Sequence, residues 1–228
     1  MLSLGSLGGG VRYAYTSRGS GFSAAPYDAL NLSFDVGDDP DAVARNREFL
    51  LERVGLPRAV WLKARHGAEV AVVGESFAGA SGAPGAPDAP EVDALVTTTP
   101  GLGLGALSAD CVLVVLADPG AGVIGTVHCG RPGLLAGIVE RCVLAMRDQG
   151  AGTIRAAVGP SICGSCYEVP RVMADEVIAV VPAAAARSHA GTPALDIGAG
   201  VVSQLAGHGV EVVRRVSGCT HEDPALFS

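Results

Sequence analysis

The sequence predicts a mixed α/β fold in a single domain. Strand-length apolar or alternating runs interleave irregularly with stretches of helical periodicity, without the strict repeat of a βαβ array. With 228 residues, 49% of them hydrophobic and 17% charged, the chain can build a sizeable core without staples. Its one low-complexity stretch, 78–90 (AGASGAPGAPDAP), reads as an exposed loop within the domain, because the motifs on either side need each other.

The elements follow in chain order. VRYAYT (11–16) alternates and predicts a strand. Asp38-Asp39-Pro40 supplies an acidic cap and a first-turn proline, and Val43, Phe49, Leu50 and Val54 mark an amphipathic helix ending at Gly55. Short strands are expected at 59–62 and 69–73. Leu104–Leu116 contains a strongly apolar strand, and GVIGTVH (122–128) is another. Leu134–Asp148 has helical periodicity and stops at Gly150. Ile154–Val158 is a strand opening into GPSICGSCYEV, followed by helices near 171–181 and 196–206 and a last strand at 210–216.

Composition excludes several functions. A net charge of −7 argues against sequence-independent nucleic-acid binding, which rests on phosphate neutralisation by Lys and Arg. Apolar runs such as Val112–Ala117 are bracketed by Asp110 and Asp118, far short of a membrane span. MLSLGSLGGG has no basic segment and no long apolar core, so a cytoplasmic location is expected. In that compartment the six cysteines read as free thiols or metal ligands.

Most motifs have a structural reading. GLGLGA (101–106) is followed by a strand rather than a helix, so it reads as a turn and not as a dinucleotide loop. Cys163-Gly-Ser-Cys166 has redox spacing, but a Gly-Pro turn precedes it where a reactive pair wants a helix N-terminus, so it reads as a tight structural loop; a metal knuckle would want a second pair that the sequence does not offer. His189 and His208 read as surface or capping residues. His66, Cys111 and His128 differ, because each stands at the edge of an apolar element, where strands feed loops. Each alone fits a structural role. Together they form a set of two imidazoles and one thiolate, common at catalytic zinc sites with an open fourth position.

At this point several ordered motifs resemble the YfiH-type family, also called the laccase-domain, polyphenol oxidase-like or peptidoglycan editing factor family. They are PYDALNLSFDVGDD with AVARNREFL, ARHGAEV, VDALVTTTPGLGLGALSADCVLVVLAD, GTVHCGRPGL, GPSICGSCYEV and SGCTHEDPALFS, which together span nearly the whole chain. The resemblance implies one domain over 1–228, lacking the family's C-terminal tail, with a layered α/β/β/α-type arrangement and mixed sheets. It implies that His66, Cys111 and His128 bind one zinc and carry catalysis. The implied activity is purine nucleoside phosphorolysis: adenosine, inosine or methylthioadenosine with phosphate gives the base and ribose 1-phosphate, with adenosine deamination beside it. Phosphate needs donors, and Arg47, Arg65, Arg131 and the amides of Gly130 to Gly133 are the candidates. Where the family has Trp-Arg, this chain has Arg131-Pro132.

Two other functions share these residues. Cys111 could be the nucleophile of a Cys–His hydrolase acting on peptidoglycan precursors, with His66 or His128 as base. A non-catalytic metal-binding or partner-binding protein is the third reading. Copper is the less favoured metal: five histidines with no His-X-His pair are too few for a multicopper oxidase, and no methionine lies near the set.

Overall fold

The computed structural model describes residues 3–77, 83 and 89–228. The loop expected at 78–90 therefore lies almost wholly outside the described residues.

A six-stranded mixed sheet carries the architecture. Its order is β12 (Glu211–Arg215), β9 (Arg155–Val158), β7 (Val112–Asp118), β8 (Val123–Cys129), β5 (Ala94–Thr97) and β4 (Val70–Val72). The β7–β8, β7–β9 and β5–β8 pairs are antiparallel, and the β12–β9 and β4–β5 pairs are parallel. β7 explains its own apolar run. Val112, Val114 and Leu116 face one core while Leu113, Val115 and Ala117 face another, so the strand is covered on both sides.

Helices α2 (Arg131–Leu135), α3 (Ile138–Asp148), α4 (Arg171–Val180) and α5 (Ile197–Gly207) cover the first face. Leu134, Ile138, Cys142, Met146, Val177 and Leu205 join the strands in the largest core. Opposite lie the antiparallel hairpin β1 (Ser3–Gly8) and β2 (Val11–Tyr15) and the parallel pair β3 (Arg58–Trp61) and β6 (Leu102–Gly105). Beyond them α1 (Pro40–Val54) packs Phe49, Leu50 and Leu51 against Ala59 and Trp61. The order helices, sheet, strand pairs, helix is the layered mixed α/β arrangement expected. A further hairpin joins β10 (Ala185–Arg187) and β11 (Pro193–Leu195).

Local chemistry sets the boundaries. The Asp39 carboxylate accepts the Asp41 N–H to start α1, and Gly55 ends it in the left-handed region at φ 66°. The helix expected over 134–148 is in fact two: Gly137 at φ 76° breaks the periodicity and becomes the N-cap of α3. The stretch 104–116, expected to contain one strand, holds the end of β6 and the first five residues of β7, which runs on to Asp118. GLGLGA forms a turn at Gly101 followed by β6, and Gly105 lies against the Trp61 ring, where a Cβ would come within 2.5 Å. β1, β5, β10 and β11 lie outside the expected strands.

Candidate metal and active site

Strand direction builds the site. β7 starts just after Cys111, antiparallel β8 ends with His128 and Cys129, and β5 starts just after Asp93, so all three deliver to one end of the sheet. Val112 pairs with Cys129 and Leu113 with His128. His66 arrives from the loop between β3 and β4, with a left-handed backbone at φ 59° that side chains other than glycine rarely adopt. The donor atoms of His66, Cys111 and His128 lie within 4.8 Å of one another. The two imidazoles meet edge to face, their centroids 4.9 Å apart.

Asp93 organises this cluster, and its side chain is fully buried. Its carboxylate accepts three successive backbone N–H groups: His66 at 2.9 Å, Gly67 at 2.7 Å, and Arg65 at 3.2 and 3.3 Å. It also accepts Nδ1–H of His128 at 3.0 Å, and its backbone carbonyl accepts the His128 N–H at 2.8 Å. One buried charge thereby holds the left-handed turn at His66 and turns Nε2 of His128 outward as the lone-pair donor. Sequence reading missed Asp93. The signal was an acid beside the apolar run Ala94–Val96, since a carboxylate entering a core demands partners.

The residues fit a metal. Burial, followed by the charges of Asp110 and Asp93, pushes the Cys111 thiol up to about 11. An incoming positive charge therefore favours the thiolate there. Burial lowers the pKa of His128 against the pull of Asp93, which keeps the imidazole neutral, the ligating form. Gly130 leaves the space: a Cβ there would stand 2.9 Å from Cys111 Sγ and 3.1 Å from the His66 ring. Two nitrogens and one thiolate match a three-ligand open zinc site. His66 is exposed, Cys111 half-buried and His128 buried, so the open side faces outward past His66. A cleft of about 1150 Å³ between the layers reaches the cluster only at Cys111; Asn31, Trp61, Thr220 and Phe227 are among its walls.

The expected phosphate groups are placed differently from one another. Arg47 does not stand free: it is buried, donates Nε–H to the Leu32 carbonyl at 2.7 Å, and stacks on Phe34 and Trp61. Burial brings its pKa down to about 10. Its aromatic packing holds it in the core between layers. Arg131 opens α2 beside the cluster, with Glu176 3.9 Å away. Gly130 is the N-cap of α2, and Gly133 packs closely enough that a Cβ would meet the Gly67 carbonyl at 3.1 Å. Arg65 points to Glu91 at 3.2 Å.

Residues 12–228 match the model of a family described as multi-copper polyphenol oxidoreductase laccase. The chain belongs to this family. Among laccase-domain relatives, a protein of Streptomyces coelicolor named purine nucleoside phosphorylase is 48% identical over 223 residues, covering 96% of this chain and 89% of its own. A Mycobacterium tuberculosis protein of the same name is 43% identical over 222 residues, covering 96% and 86%. The crystal structure of YlmD from Geobacillus stearothermophilus superposes with a TM-score of 0.82 at 32% identity, over 93% of this chain and 83% of that one. Among the described residues, no helix is long and apolar enough to cross a membrane.

Proposed function

We propose that this laccase-domain chain is a zinc-dependent purine nucleoside phosphorylase of the cytoplasm. Its substrates are phosphate and adenosine, inosine or methylthioadenosine, with adenosine deamination as a companion activity. The observation that carries the reading is the convergence of His66, Cys111 and His128 on one point, in a chain whose relatives bear the phosphorylase name. In the reaction a phosphate oxygen bonds to ribose C1′ while the C1′–N9 bond breaks and its electrons leave with the purine.

The chain's own residues position this exchange. His66, Cys111 and His128 are the ligands; bound there, zinc supplies a Lewis acid that polarises an oxygen. Asp93 keeps the imidazoles in register. The Arg131 guanidinium and the backbone N–H groups of Gly130, Arg131 and Gly133, at the start of α2, are assigned to phosphate; Pro132 has no N–H to give. The apolar cleft past Cys111 takes the base and excludes water from it.

The Cys–His hydrolase reading fits less well. A nucleophilic cysteine needs a depressed pKa, and the burial and carboxylates around Cys111 push it the other way. Copper would also accept this donor set, so metal analysis of protein purified without added metal decides the ion. The activity test incubates zinc-replete protein with adenosine and phosphate. Adenine and ribose 1-phosphate are expected, with inosine reporting deamination. No product at full zinc occupancy would overturn the phosphorylase reading.

A further inference from the structure

A second cluster lies away from the first. Cys163 and Cys166, which the sequence leaves without a second pair, meet Cys219 and Glu222 in the fold. One ligand atom from each of the four lies within 4.8 Å of all the others. A tetrahedral ion with metal–sulfur bonds of about 2.3 Å needs donors about 3.8 Å apart, so small side-chain movements close the set around an ion.

Two matching turns present the four groups. In one, the N–H groups of Cys166 and Tyr167 both donate to the Cys163 carbonyl, each at 3.0 Å. In the other, the N–H groups of Glu222 and Asp223 donate to the Cys219 carbonyl at 3.1 and 2.9 Å. Each turn therefore offers its first and fourth side chains, spaced like a metal knuckle. The turns are joined by the Ser161–Cys219 bridge, by the Thr220 N–H on the Ser161 carbonyl at 3.2 Å, and by the Cys163 N–H on Cys219 Sγ at 3.3 Å. His189 stands behind the carboxylate: its Nε2 is 3.2 Å from Glu222 Oε1, and its N–H donates to the Ser165 carbonyl at 3.1 Å. An orienting partner of this kind is typical behind a ligating carboxylate.

We infer that Cys163, Cys166, Cys219 and Glu222 form a closed, structural site for a thiophilic divalent ion, zinc by class, distinct from the His66–Cys111–His128 centre. Binding releases the three thiol protons to solvent and changes no oxidation state. All four positions come from the protein, which leaves none for substrate and makes the site a clamp. It fastens the segment from Cys219 onward to the loop after β9. That segment and loop share Asp110: its side chain accepts hydroxyl protons from Thr220 at 2.7 Å and Ser228 at 2.8 Å, and its carbonyl accepts the Ile162 N–H at 3.0 Å. Asp110 immediately precedes Cys111, so the clamp secures the wall from which the first centre's thiolate projects.

The test uses the whole protein, purified under reducing conditions with zinc as the probe. Two equivalents of zinc per chain are expected. Alkylation with mass mapping should find Cys163, Cys166 and Cys219 protected, and a strong chelator should remove that protection. The Cys111→Ser variant should lose one equivalent and keep these three cysteines protected; Cys163→Ser with Cys166→Ser should lose the other. One equivalent that still protects the three cysteines would sustain the clamp and count against zinc at the first centre. Disulfides among the three, or protection that ignores the chelator, would overturn the proposal without any variant having to fold.

Discussion

Replacing Asp93 with asparagine removes a charge and one acceptor while keeping the shape. Its Oδ1 accepts His66 N–H and His128 Nδ1–H, and Oδ2 accepts Gly67 N–H at 2.7 Å. Asparagine has one oxygen. If that oxygen keeps the histidine side, its NH₂ confronts the Gly67 N–H, donor to donor. In the reverse orientation the NH₂ faces His66 N–H and Nδ1, and His128 must move its proton to Nε2, which blocks the ligating lone pair. The first arrangement costs less and still loses one charge-assisted bond in a buried place, worth about 1.5–3 kcal/mol. Because Asp93 also orients His128, zinc affinity should fall about 10–100-fold, a typical cost of losing an outer partner to a ligand. Competition against a chromophoric chelator measures the affinity, and urea unfolding of the zinc-free protein measures the stability. Wild-type values in both would refute the role given to Asp93.

Three further outcomes are expected. Gly130→Ala places a methyl carbon against Cys111 Sγ and the His66 ring, so metal content and activity should fall together with a stability loss of about 1–3 kcal/mol; full zinc occupancy would contradict the packing. Arg131→Ala should raise KM for phosphate while zinc content stays unchanged, and unaltered phosphate dependence would remove Arg131 from the site. Asp118 accepts N–H groups from Gly152, Thr153, Gly120 and Ala121; Gly152 leads these in holding its pKa below the ordinary carboxylate value, with burial opposing. Its folded pKa is depressed, so its stabilisation is present above the unfolded value and is lost as pH falls through the folded one. Asp118→Asn should therefore cost about 1.5–3 kcal/mol at neutral pH, and urea midpoints of the two proteins should converge in acid.

Much of the fold was legible because its long apolar strands and capped helices carry their own signals. The apolar stretch Leu104–Leu116 signalled a strand, found as β7, and Asp39-Pro40 with Gly55 bracketed α1 closely. β1 was not legible, since SLGSLG alternates small residues with only two leucines and gives little periodic contrast. Gly137 hid inside an otherwise helical period. At the site, Cys111 and His128 stood out at the ends of apolar strands, whereas the way they meet depends on register. Glu222 was the least legible ligand of all, an exposed acid that only the facing turns single out.

The first centre has no local precursor in the chain. Its orienting contacts join residues 27 and 35 positions apart, through strands that become neighbours only after β5, β7 and β8 have paired. Each such contact carries a loop-closure cost that is met only when the strands pair. An unfolded chain scatters these thiols and imidazoles; the completed sheet brings the donor atoms of His66, Cys111 and His128 within 4.8 Å of one another. Metal binding at His66, Cys111 and His128, as proposed above, would therefore report that the central strands are already in place.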